Sequence, residues 1–166
     1  MRAGIGYDVH PLVPGRALVL GGVDVPFQKG LDGYSDADVL VHAIMDALLG
    51  AAGLKDIGHQ FPSGEPRHKD ASSIHMLEHV GRKVASAGYV VKNVDSTLIA
   101  QEPRVAPYID QMRHNIALAL RIEEDHFFAQ VFLFFFEGDG VRAQADRLFL
   151  HDDFFLAGQG GKEMVE

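Results

Sequence analysis

"SDADVLVHAIMDALLGAAGL", Ser35 to Leu54, places apolar residues at Val39, Leu40, Ala43, Ile44, Ala47 and Leu48, the i, i+3, i+4 recurrence of one helix face. Ser35 or Asp36 can cap its start with further acids in the first turn, and Gly50 and Gly53 mark its end. The runs around this helix read differently. Upstream, "RAGIGYDV" (Arg2–Val9) and "ALVLGGVDVPF" (Ala17–Phe27) alternate or run apolar with Gly punctuation, which predicts two or three short strands joined by a turn over Pro11–Gly15. Downstream, a second helix is expected from about Ala71 to Ala87, closed by Gly88. "YVVKNVDSTLIAQ" (Tyr89–Gln101) is rich in Val, Thr and Ile and reads as a long strand. "RVAPYIDQMRHNIALALRI" (Arg104–Ile122) predicts a third helix starting near Pro107, since proline is tolerated in a first turn. "HFFAQVFLFFFEG" (His126–Gly138) and "VRAQADRLFL" (Val141–Leu150) read as buried strands. Strands alternating with helices predict an α/β sandwich, a small mixed sheet covered on one face by about three helices. Without a linker, a repeat or a domain-sized shift in composition, residues 1–157 are expected to form one domain, with 158–166 a flexible tail.

Composition narrows the chemistry. The 166 residues contain no cysteine, so a transition-metal site must be built from histidines and carboxylates. A formal charge of −8 argues against nucleic acid as a partner, because phosphate backbones require a basic face. No apolar run reaches the 18 or so residues of a membrane span, and Asp8, His10, Pro11 and Pro14 interrupt the first twenty residues, so neither a membrane anchor nor a signal peptide is expected. A cytoplasmic protein, or an organelle-stroma equivalent without its transit peptide, fits this reading.

In an extended segment, side chains at i and i+2 share a face about 7 Å apart along the backbone, so Asp8 and His10 can converge on one point. On the helix, Asp38, His42 and Asp46 recur at spacings of four and project from one face. His42 can therefore join Asp8 and His10 as a third ligand, leaving a fourth position open as in catalytic zinc sites. Plainer arrangements fit the same residues: Asp8 opening a turn before Pro11, His10 solvated in a loop, and His42 held on the helix surface by Asp38 or Asp46.

Three long blocks, "GYDVHPLVPGRALVLGGVDVPF", "GYSDADVLVHAIMDALLGAAGLKDIGHQFP" and "NVDSTLIAQEPRVAPYIDQMR", resemble in order the signature segments of the 2-C-methyl-D-erythritol 2,4-cyclodiphosphate synthase family of the non-mevalonate isoprenoid pathway. The resemblance implies a zinc-like ion on Asp8, His10 and His42, and a second ion, magnesium or manganese, on the substrate diphosphate. His10 and His42 should each pass their second ring N–H to a carboxylate or carbonyl, which Asp38 or Asp46 could supply. The implied reaction cyclises 4-diphosphocytidyl-2-C-methyl-D-erythritol 2-phosphate with release of cytidine monophosphate. Asp8, His10, Tyr34 and Ser35 would face the reacting phosphates. Asp56, Ile57, Gly58, Phe61 and Glu65 would hold the erythritol end, and Ala100, Arg104, Val105 and Ala106 the cytosine. The resemblance also implies a homotrimer with active sites shared between neighbours; the Phe-rich run from Phe127 to Phe136 is too apolar for both faces to meet water, though a helix layer could cover it in a monomer.

Two departures from the family pattern stand out. Tyr34 occupies a place where the family generally has histidine, and a tyrosine can donate a hydrogen bond but carries no positive charge. Where the family reads T-T-x-E, this chain keeps only Glu137, after Phe134, Phe135 and Phe136. An alternative alignment sets Gly138–Ala145 against the family's G-E-G-I-A-A-Q-A. The resemblance thus implies an enzyme with catalytic candidates Tyr34, Ser35 and Glu137 and with activity weakened by these departures.

Overall fold

A computed structural model describes residues 1–137 and 140–144, with side chains as far as Phe127. The expected tail at 158–166, the end of the run Val141–Leu150 and the side chains of Phe134–Glu137 lie outside the described residues.

The chain opens with two small antiparallel pairs. Strand β1 (Leu12–Pro14) pairs with β4 (Lys29–Leu31), and β2 (Leu18–Leu20) with β3 (Val23–Val25). The β2–β3 turn uses Gly21 and Gly22, both at positive φ, the backbone that a tight two-residue hairpin requires. Helices α1 (Val39–Ala52), α2 (Ile57–Gln60), α3 (Ser73–Ser86) and α4 (Ile109–Leu120) follow, with β5 (Val94–Ala100) between α3 and α4. Strand β5 runs parallel to β6 (Phe127–Glu137), and β6 antiparallel to β7 (Gly140–Gln144), so this sheet is mixed. The α/β reading holds, but the strands form a three-stranded sheet and two separate hairpins instead of one sheet.

The core lies between the helices and one face of β5. Val41, Met45 and Leu49 on α1, Leu77 and Val80 on α3, and Met112 and Ile116 on α4 are fully buried and interlock with Val94 and Phe127. Each such side chain stabilises the fold by about 1.5–3 kcal/mol through the water it sheds. Along β5, Val94 is buried and Leu98 packs on the helical core, while Asp95, Thr97 and Ile99 face outward. The helices therefore cover one face of this strand, as expected.

Three expectations are corrected. The cap of α1 is Asp38, whose carboxylate accepts the Val41 N–H, and neither Ser35 nor Asp36 takes that place. Residues 2–9 have the two-residue period of a strand but join no ladder among the described residues, and they lie on α1 instead. A Cβ at Gly4 would sit 2.0 Å from the Ala47 carbonyl oxygen, and one at Gly6 only 1.8 Å from that of Ala43. Only glycine permits this approach of backbone to helix. Finally, Leu12–Pro14, expected within a turn, forms β1, because its register with Lys29–Leu31 extends the Asp32 N–H to Pro11 carbonyl bond.

Candidate metal centre and substrate pocket

The glycine contacts of residues 4–10 have a chemical consequence, because Ala43 and Ala47 stand next to His42 on α1. Laying the segment on the helix brings Asp8 against His42, 34 residues away in sequence. Asp8 Oδ2 lies 2.9 Å from His10 Nε2 and 3.0 Å from His42 Nδ1. One ligand atom from each of the three residues falls within 4.8 Å of the others, a separation that lets one ion touch all three. Burial pushes the Asp8 carboxyl up, but the hydrogen bond with His42 and the nearness of His10 and His42 outweigh it and hold the group below its ordinary value. An ionised carboxylate between two imidazoles is the donor set that zinc accepts.

Neither Asp38 nor Asp46 supports the histidines, which corrects that expectation. Asp38 is fully buried and accepts the Gly22 and Val41 N–H groups, and burial pushes its carboxyl up to about 6. Asp46 accepts the Ile57 N–H and so anchors α2 to α1. The partners that orient the rings come from elsewhere. His10 Nδ1 donates to the Asp32 carbonyl, and His42 Nε2 lies 2.9 Å from Ser73 Oγ, which in turn donates to Asp36. No local spacing announces these contacts, since Asp32 lies 22 residues from His10 and Ser73 lies 31 residues from His42.

A cavity of about 260 Å³ opens at the centre. Asp8, His10 and His42 form one side of it, Tyr34 and Ser35 another, and Ile57, Gly58 and Phe61 a third. Seven of the residues expected around a substrate therefore meet at one place with the metal-ligand candidate His42. Ser35 is buried, and its hydroxyl accepts the Ala37 N–H and lies 3.2 Å from His42 Nε2. Tyr34 turns its hydroxyl away from the ligands and donates to the Glu65 carbonyl at 3.1 Å. The sequence reading missed His68, a buried wall residue whose Nδ1 bonds the Pro62 carbonyl.

Other expected residues stand apart. Asp56 is exposed and caps α2 through the His59 N–H, and the Glu65 carboxylate pairs with Arg67 at 2.6 Å. Neither lines the small cavity. On the other side of Asp8 and His10, a cleft of about 890 Å³ separates residues 4–10 from β5, and Ala100 and Val105 border it. Val105 is fully buried, while Arg104 is exposed and Ala106 partly so, and neither of these two borders the cleft. Glu137 belongs to β6, and its side chain lies outside the described residues.

Residues 1–131 match the profile described as the YgbB family, a span that includes every ligand of the centre. The chain belongs to the YgbB family. Among curated YgbB-type relatives, 2-C-methyl-D-erythritol 2,4-cyclodiphosphate synthase of Moorella thermoacetica is 56% identical over 155 residues, covering 90% of this chain and 95% of the relative. The enzyme of the same name from Desulforamulus reducens is 59% identical over 125 residues, 75% of this chain and 80% of the relative. A solved 2C-methyl-D-erythritol-2,4-cyclodiphosphate synthase in its CDP-bound form superposes with a TM-score of 0.74 at 32% identity, covering 78% of this chain and 87% of that one. The family match ends before Phe134–Glu137.

Proposed function

We propose that this YgbB-family protein cyclises 4-diphosphocytidyl-2-C-methyl-D-erythritol 2-phosphate to 2-C-methyl-D-erythritol 2,4-cyclodiphosphate with release of cytidine monophosphate. The observation that carries the reading is the convergence of Asp8, His10 and His42 on the wall of a cavity shared with Tyr34, Ser35, Ile57 and Gly58. Relatives of the same name at 56% and 59% identity support it.

The reaction asks little covalent chemistry of the protein. An oxygen of the substrate's 2-phosphate attacks the β-phosphorus, a new P–O bond closes the ring, and the P–O bond to cytidine monophosphate breaks. Nucleophile and electrophile belong to one molecule, so the protein's contribution is to hold them in line and exclude water. Asp8, His10 and His42 would hold a divalent ion, whose charge would neutralise the phosphate oxygens. Phe61 and the Ile57–Gly58 backbone shape the end that takes the erythritol. The 100–106 segment, whose Ala100 borders the cleft, would serve the cytosine through backbone groups, and a second ion, magnesium or manganese, would add charge neutralisation at the diphosphate.

In this reading the nucleotide end and the metal corner of one site come from neighbouring copies of a homotrimer. Ile5, Tyr7, Val9 and Ile99 are all exposed around the cleft beside β5, an apolar surface suited to burial between chains. Release of cytidine monophosphate from the cytidyl diphosphate substrate, measured with zinc and magnesium present, tests the function directly. A second reading, a zinc-binding relative with impaired catalysis, is favoured by the commitment of the Tyr34 hydroxyl to the Glu65 carbonyl, and it predicts metal binding without turnover.

A further inference from the structure

We propose that Asp36 and Ser73 are positioning residues that select which nitrogen of His42 meets the metal, and so set the affinity of the centre. The inference rests on the reading of Asp8, His10 and His42 as a metal site. It follows from the direction in which hydrogen bonds must run. An ionised carboxylate can only accept. Asp36 receives the Ser73 N–H on Oδ2 at 2.8 Å and the Ser73 hydroxyl on Oδ1. With its only proton committed to Asp36, Ser73 Oγ can act toward His42 Nε2, 2.9 Å away, solely as an acceptor. Nε2 therefore carries the N–H, and Nδ1 is left as the nitrogen that faces Asp8 at 3.0 Å.

His10 is governed by the same logic on its opposite nitrogen. Its Nδ1 faces the Asp32 carbonyl, another group that can only accept, so Nε2 is the nitrogen turned to Asp8. The two rings thus present different nitrogens to one point, each set by an acceptor behind it. The carbonyl behind His10 is main chain and no substitution removes it. The chain behind His42 is made of two side chains and can be altered.

The surroundings over-determine the position of Asp36. Its N–H donates to the Ala71 carbonyl at 3.1 Å, Asp70 N–H donates to the Tyr34 carbonyl at 2.9 Å, and Asp38 N–H donates to Asp36 Oδ1 at 3.2 Å. Between Asp36 and Asp38, buried Ala37 is held at φ +58°, a left-handed conformation that residues with a Cβ rarely adopt. That strained residue lets Asp36 turn toward Ser73 while Asp38 turns toward Gly22.

Removing the acceptor should do more harm than removing the hydroxyl. In Asp36→Asn one amide oxygen replaces two carboxylate oxygens that served Ser73 and Asp38, and an NH₂ stands where an acceptor stood. The Ser73 hydroxyl is then free to donate to His42 Nε2, which favours the tautomer with its proton aimed at the metal. In Ser73→Ala, Ser35 Oγ at 3.2 Å from the same Nε2 remains as a substitute acceptor.

The test measures zinc affinity of the purified full chain by competition with a chelator, alongside imidazole ¹⁵N chemical shifts that report the His42 tautomer. Asp36→Asn should weaken zinc 10- to 100-fold, the range found when the groups supporting a metal-bound histidine are lost. Ser73→Ala should weaken it less, the double variant by less than the product of the two, and Ser73→Thr should stay close to the parent. A folded Asp36→Asn chain with parental zinc affinity and an Nε2–H His42 would overturn the proposal. Should that variant fail to fold, a folded Ser73→Ala chain whose zinc affinity falls supports the relay, and one in which neither affinity nor tautomer changes overturns it. A parent chain that binds no zinc overturns the metal reading as well, which separates the two failures.

Discussion

Asp8 and His10 divide two unlike regions. On one side, toward His42, each ring nitrogen turned away from the centre has an oxygen behind it, and Ser35, Ile57 and Phe61 line the small cavity. On the other side the same segment borders a cleft of about 890 Å³, across which β5 makes no ladder with residues 4–10. Ile5, Tyr7 and Val9 alternate outward along that segment with exposures of 93%, 80% and 69%, an apolar stripe that water does not favour. The contrast teaches that one chain brings the three candidate ligands together by itself, whereas the cleft beside β5 is flanked by apolar side chains left exposed in a single copy.

The harshest way to break the contrast is Gly6→Ala. Its Cβ would require the Ala43 carbonyl to move, so the segment must lift from α1 and carry Asp8 away from His42. Loss of zinc binding by at least a hundredfold, with a lower melting temperature, is the expected outcome, and a variant that keeps its zinc would show that the close approach is dispensable. Met45→Ala acts from beneath the same corner. Met45 is fully buried on α1, and its truncation should cost about 2–5 kcal/mol in urea denaturation.

Acidity offers a third handle. The folded pKa of Asp38 is raised to about 6 from 3.8, so the folded state binds this proton more tightly than the unfolded chain. Its contribution is present below pH 3.8 and is lost as pH rises through about 6. That change is at most about 3 kcal/mol, from 1.36 kcal/mol per unit. Subtracting the pH–stability curve of Asp38→Asn from that of the parent should reveal this falling limb, and a flat difference would refute it.

Tyr34→His should raise turnover about tenfold, since it places a group able to carry positive charge on the cavity wall. A steady-state comparison of kcat with zinc and magnesium checks it. The gentlest change sharpens the contrast most: Ile99→Asp, at an exposed position beside the cleft, should leave zinc affinity within about twofold while light scattering reports the mass of one chain in place of three. If zinc affinity fell together with the assembly, the corner would not be complete within one chain.

The helix Val39–Ala52, the strand Val94–Ala100 and the shared face of Asp8 and His10 were legible from local pattern and composition, while His42 joined that pair as a ligand through the family resemblance. The local readings depend on short-range features: 3.6 residues per turn along a helix, two along an extended chain, and β-branched content in a strand. Those periods state which residues share a face, and they are properties of the local backbone. They do not state what the face meets. Arg2–Val9 has the pattern of a strand yet lies on a helix, because Gly4 and Gly6 remove the side chains that would keep the two backbones apart. Asp38 shares a nominal face with His42 yet turns to Gly22, and the group behind His42 proved to be Ser73 at the start of α3. Only the packing of α1 between the N-terminal segment and α3 decided those partners. Hydrogen bonds across 22 to 34 residues are made by bringing distant segments into register, which no local period encodes.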